Sequence, residues 1–158
     1  MKVILCSCLI LSATLAASAK GETADRKSAD DQKAIQGDWV PVKAELAGQP
    51  MPDAVLKTIS LKLTKNEYDV LVAGKPDKGT WTIDPAANPK SMKIVGVEGP
   101  NKGKTFPAIY ELSGDTLRVC YDLSGAKLPT EFKTKAGTKF YLVTYKRKKQ
   151  PAAPAPKS

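Results

Sequence analysis

The amino-acid sequence predicts an all-β chain, an antiparallel up-and-down eight-stranded β-barrel with a short N-terminal helix. Three observations carry this expectation. Apolar and polar residues alternate with period two through most of residues 38–146. Turn chemistry interrupts the alternation every ~8–12 residues. No helical periodicity outlasts a couple of turns. Connections this short favour antiparallel neighbours, because a parallel pair needs a long crossover. A meander of eight such strands can close on itself and remove its exposed edges, which keeps a small β domain monomeric.

Along the chain, Ser28-Ala29-Asp30-Asp31 has the form of a capping box, with Ser28 as cap and Asp31 reaching back. It opens a helix expected to run to Ile35 or Gln36 and to stop at Gly37. Strands follow at 38–46, 58–64, 67–73, 79–84, 91–97, 104–112, 116–122 and 139–146. Residues 50–57 read as a turn plus one helical turn, with Asp53 near its start. Lys65-Asn66 and Ser113-Gly114-Asp115 have the composition of tight hairpin turns. Pro41 in the first strand removes a ladder hydrogen bond and implies a bulge or an edge there.

The ends read differently. Residues 1–19 have the form of a signal peptide. Met1-Lys2 is a positive start, Val3 to Ala17 is an apolar run too short to span a bilayer, and Ala17-Ser18-Ala19 is a cleavage site ahead of Lys20. Export to the periplasm or the extracellular space is therefore expected, with no transmembrane segment after cleavage. Residues 20–33 are expected to be a flexible lead-in, 34–147 the barrel domain, and 148–158 a disordered, basic Pro/Ala-rich tail. Cys6 and Cys8 leave with the leader, so Cys120 has no partner for an internal disulfide. A lone Cys in a strand reads as buried packing, and without His in the chain it has no imidazole base to activate it.

The 158 residues include 25 Lys and Arg against 16 Asp and Glu, a formal charge of +9. Such a balance draws a protein towards anionic membranes or acidic envelope polymers. The lysines are spread along the whole chain and the aromatics are not interleaved with them, so no nucleic-acid partner is expected.

Motifs of catalysis are poorly represented. Gly99-Pro100-Asn101-Lys102-Gly103-Lys104-Thr105 superficially resembles a phosphate loop. That loop needs four residues before its Gly-Lys-Thr, whereas only three stand here, and the segment leads into a strand instead of a helix N-terminus. It reads as a Gly-rich hairpin loop. A metal centre would need clustered His, Cys, Asp or Glu, and the scattered carboxylates lack calcium-loop spacing. Glu67, Asp69, Asp84, Glu111, Asp115 and Glu131 occupy strand ends or outward positions, with no evident acid–base pair. The expected protein is non-enzymatic, without cofactor or metal.

Gly37-Asp38-Trp39 is more informative. A Gly-x-Trp after a short helix, at the start of the first strand, is how lipocalin-type barrels open. Gly37 lets the chain bend in, and Trp39 plugs one barrel end with a large apolar surface. Arg147 or Lys146, on the last strand, is placed to stack on the indole. Two further stretches extend the likeness. They are Lys78-Gly79-Thr80-Trp81-Thr82-Ile83-Asp84, and the Gly99–Thr105 loop followed by residues 109–121, from Ile109-Tyr110-Glu111 to Val119-Cys120-Tyr121. Over residues 34–147 the chain resembles an exported lipocalin-like domain family of unknown function that is abundant in planctomycetes. The resemblance implies fold and export, and no activity.

A small eight-stranded barrel is either filled with side chains or holds one small ligand. The expected inward face carries Tyr68, Val70, Trp81, Ile83, Met92, Ile94, Phe106, Ala108, Tyr110, Leu117, Val119, Tyr121, Phe140 and Leu142. These side chains are bulky enough to fill the interior, which would leave an envelope interaction protein acting through its basic surface. If the interior is open, the chain is a binding module for a small apolar or amphipathic molecule. Trp81, Tyr110 and Tyr121 would then line the site, and Arg118, were it to face inward, would anchor a carboxylate. A one-residue slip of register exchanges the faces, so the orientation of Arg118 and Cys120 stays open at this point.

Overall fold

The structure, a computed structural model, describes residues 29–149. The expected cleavage residues Ala17 and Ala19, the helix cap Ser28 and the proline-rich tail beyond Lys149 lie outside the described residues. A helix over residues 29–35 (α1) leads into β1, Gly37–Leu46. A two-residue strand, β2 at Gln49–Pro50, and a single helical turn, α2 at Asp53–Leu56, fill the connection to the next long strand. The remaining strands are β3 (Ile59–Thr64), β4 (Glu67–Val72), β5 (Lys75–Asp84), β6 (Ser91–Glu98), β7 (Thr105–Ser113), β8 (Thr116–Asp122) and β9 (Phe140–Arg147).

Every neighbouring pair is antiparallel and follows chain order from β3 to β9, while β1 lies between β3 and β9. The eight long strands thus form a closed, lipocalin-like up-and-down barrel. Closure removes both edges of the sheet. The β1–β9 seam runs from Trp39–Arg147 to Leu46–Tyr141, with a bulge between Pro41 and Lys43. The bulge sits where Pro41 cannot donate to the ladder, and it resets the alternation. Trp39 and Pro41 are buried before it, Ala44 after it, and Val42 is left outward.

Strand direction gives the barrel two unlike ends. At one end stand the start of β1, the end of β9 and the β3–β4, β5–β6 and β7–β8 turns. α1 lies across this end. Its Gln32 donates to the Lys65 carbonyl, and Asp31 accepts from Tyr110 Oη at 2.8 Å and pairs with Lys90. Ile35 is fully buried beneath it. Trp39, Trp81 and Tyr110 fill the barrel just inside, and each indole N–H donates to a backbone carbonyl, that of Ile35 or Glu67. Large rings are tolerable here because their polar edges are satisfied.

Arg147 locks this end. Its guanidinium carbon lies 4.2 Å from the Trp39 ring centroid. Nη1 donates to the Gln36 carbonyl at 2.6 Å, and Nη2 to the Ala34 carbonyl at 2.7 Å. These are orphan carbonyls at the C-terminal end of α1, where a cation is favoured. Gly37 makes room for the arginine: it sits at φ +133°, and a Cβ there would come within 2.6 Å of Nη1. Lys146, the alternative stacking residue, is exposed and bonds Thr116 instead.

One strand departs from the expected pattern. On β9 the inward residues are Tyr141, Val143 and Tyr145, not Phe140 and Leu142. Direct cross-strand partners share a face, and β9 pairs Tyr141 with Tyr121, Val143 with Val119 and Tyr145 with Leu117. β5 also begins earlier than expected, at Lys75, which adds Asp77 to the inward face.

Replacing Arg147 with Gln removes the stacking and at least one charge-assisted bond to the α1 carbonyls. The expected loss is about 2 kcal/mol of unfolding free energy. It would be read as a lower urea midpoint with an unchanged m-value against the wild type; an unaltered midpoint would remove Arg147 from the account of the closed end.

Candidate functional site

The opposite end of the barrel is not filled. The inward residues there include Ile59, Val70, Phe106, Tyr121 and Tyr141. They leave a cavity of ≈ 310 Å³ that opens between the β1–β3, β4–β5, β6–β7 and β8–β9 connections. That volume lies at the lower end of the range for small-molecule sites. Leu46, Val72 and Leu123 stand partly exposed at its rim. Met51, from the connection carrying α2, completes the wall where β1 and β3 pair only through Gly37–Trp39.

Four tyrosines, Tyr68, Tyr121, Tyr141 and Tyr145, line the cavity. The Tyr121 and Tyr141 rings stack with centroids 5.9 Å apart. Burial pushes the Tyr141 phenol up to about 12. Burial, with their mutual neighbours, raises those of Tyr121 and Tyr145 as well. All stay neutral near neutral pH. Asp77 and Asn101 are the other polar lining residues.

Asp77 is buried and accepts three hydrogen bonds. Tyr68 Oη donates to Oδ2 at 3.3 Å, Asn101 Nδ2 to Oδ2 at 2.7 Å, and the Asn101 backbone N–H to Oδ1 at 3.2 Å. Burial and then the Asp77 charge push the Tyr68 phenol up to about 12. Gly79 is what lets the Tyr68 ring lie across β5. A Cβ at that position would fall on the Val95 carbonyl and come within 2.6 Å of the ring. The Gly99–Lys104 loop folds back on β6, with Gly103 N donating to Gly96 O at 2.9 Å, and so carries Asn101 onto Asp77. The segment that mimics a phosphate loop is a brace on the cavity wall.

Of the residues expected to line a site, the structure places Tyr121 in the cavity wall. Trp81 and Tyr110 are fully buried in the floor and are not among the residues lining the cavity. Arg118 faces outward, because Leu117, Val119 and Tyr121 take the inner positions of β8. Its side chain is 40% exposed, lies 3.9 Å from Glu111 and stacks on Phe132. It therefore cannot anchor a carboxylate inside the barrel. Asp77 and Asn101 went unnoticed, because Lys75-Pro76-Asp77-Lys78 reads as a turn. The available signal was that Asp77 is in phase with Gly79, Trp81 and Ile83 on one face.

Cys120 is also on the outer face of β8 yet is fully buried, under the strap formed by residues 123–139. Asp122 starts the strap. Burial opposes its charge, but bonds from Ser124 Oγ and from the Ser124, Lys127 and Ala126 amides outweigh this and hold the carboxyl below its usual range. Pro129 is fully buried, and Thr134 bonds both Glu45 and Gly48 N, tying the strap to the end of β1.

Among the described residues no cluster of three or more His, Cys, Asp or Glu side chains is placed to hold a metal ion. No described helix is long and apolar enough to cross a membrane. Protein-family profiles, curated proteins and solved structures give no match to this chain.

Burial pushes the Cys120 thiol up to about 11. At pH 8 the folded protein should react with a thiol reagent at Cys120 about 100-fold more slowly than the urea-unfolded chain, since the thiolate fraction falls tenfold per unit. Equal rates would mean that the strap does not cover the thiol.

Proposed function

We propose that this protein is an exported, non-enzymatic lipocalin-like carrier that holds one small apolar or amphipathic molecule in the open end of its barrel. The cavity is the observation that carries this reading. A barrel whose only task were structural could be filled throughout, as it is around Trp39, Trp81 and Tyr110. Here the filling stops halfway. Aliphatic and tyrosine side chains line the remainder, with two convergent polar groups, the pattern of small-molecule sites. The rigid, locked floor fits a carrier, because a preformed cup loses little ordering entropy on binding. Export rests on residues 1–19, and membership of the lipocalin-like family abundant in planctomycetes rests on the stretches around Trp39, Trp81 and Gly99–Tyr121.

A neutral, environment-sensitive fluorophore such as N-phenylnaphthylamine should titrate the protein to saturation at one equivalent. Val70→Trp, which projects an indole into the cavity while leaving the ladder intact, should abolish the signal without unfolding the barrel. Unsaturable binding, or equal binding by the folded variant, contradicts a site inside the barrel.

The exposed surface supports a second reading, attachment to an acidic envelope polymer. The connections around the mouth carry Lys57, Lys102, Lys104, Lys127, Lys133, Lys135 and Lys139 against the exposed Asp53 and Glu131. This excess would hold the mouth against a polyanion. Retention on an acidic polysaccharide matrix should then weaken steeply as salt rises beyond physiological strength; retention indifferent to salt counts against it.

A further inference from the structure

We propose that the molecule held in the barrel is an apolar amine, cationic at neutral pH, whose ammonium group is received by Asp77 and the neighbouring tyrosine rings. This rests on the carrier reading above and adds the chemical class of the ligand. Asp77 is 5% exposed and takes part in the cavity wall. Its three donors, the Tyr68 hydroxyl and two Asn101 groups, are all neutral. Two carboxylate oxygens accept about four hydrogen bonds, so one acceptor position remains. Among the described residues no Lys or Arg lines the cavity, and none forms an ion pair with Asp77. A buried carboxylate is costly unless its charge is paired. A ligand ammonium supplies both the missing charge and the missing donor.

The walls suit the same group. Tyr68 stands beside Asp77, and Tyr121, Tyr141 and Tyr145 line the same cavity. Tyrosine rings attract a cation, and the attraction grows as the site excludes water. The rest of the lining is aliphatic or Phe and Met, which calls for an apolar body and rejects a polyamine that would bury further charges there. A carboxylate or phosphate ligand would meet Asp77 with no cation to offset it. The interior is thus opposite in sign to the surface: a chain of net charge +9 presents a cavity whose charged lining residue is an aspartate. Surface electrostatics would concentrate anions, so a preference for amines cannot arise from the protein's overall field.

The test displaces N-phenylnaphthylamine from the full protein with decylamine, decanol and decanoate, which share one chain and differ in the headgroup. Decylamine is expected to bind at least about tenfold more tightly than decanol, a difference of ~1.4 kcal/mol, with decanoate the weakest. In Asp77→Asn the ratio of amine to alcohol affinity should shrink to within about twofold. Decanol and decylamine binding alike in the wild type would overturn the amine assignment and leave the carrier reading standing. An amine preference that persists in Asp77→Asn would overturn the role of Asp77. Displacement by none of the three would overturn the carrier reading and this inference with it. Should the variant not fold, the wild-type comparison of amine with alcohol decides the matter alone.

Discussion

Arg147 reaches back over the end of the barrel to the Gln36 and Ala34 carbonyls while its guanidinium lies on the Trp39 ring. That contact joins the last strand, the first strand and the leading helix, three segments distant in sequence. It also joins the two strands whose pairing closes the barrel. Once Trp39 and Arg147 are in register, the whole β1–β9 seam follows, and with it the side of each strand that faces in. Gly37 is the concession the contact demands, since no side chain fits between the backbone and the guanidinium. The helix that supplies the two carbonyls is held over the floor by Asp31, which ties it to Tyr110 and Lys90.

Closure at one end sets the character of the other. Two indoles and Tyr110 take up the volume of the floor and satisfy their polar edges locally. Above them the inward residues are mostly Leu, Val, Ile and Met, with tyrosine and Phe106 rings among them, and they leave the barrel open. The long strap after β8 gives Leu123 to the rim and otherwise packs outside the barrel, over Cys120. The proposed carrier role follows from this division of one barrel into a packed half and an open half.

Most of the fold was legible in the sequence, because most strands have one clear apolar face. β3 alternates Ile59, Leu61 and Leu63 against Ser60 and Lys62, so its orientation admits one answer. The bulge in β1 was legible from Pro41. β9 was not, because Phe140 and Leu142 are as apolar as Tyr141 and Val143, and the strap half-covers the outer face. Period-two contrast vanishes where both faces are apolar. The same reasoning governs the site. Tyr121 was readable as an inward residue of β8, and once Leu117 and Val119 are seen to face in, Arg118 must face out. Whether the barrel is open depends on how side chains from opposite walls meet, which a linear pattern does not record. Asp77 was hidden by its neighbour Pro76, whose turn character masked the first residues of β5.

The central claim is that the open half of the barrel holds a molecule. Native mass spectrometry of the protein taken from its natural source, without detergent or organic solvent, tests it most directly. One added mass per chain is expected, lost on denaturation and regained when the stripped protein is returned to an extract of the same source. A bare chain that takes up nothing from that extract would contradict the claim and leave the cavity as a packing defect of a structural barrel.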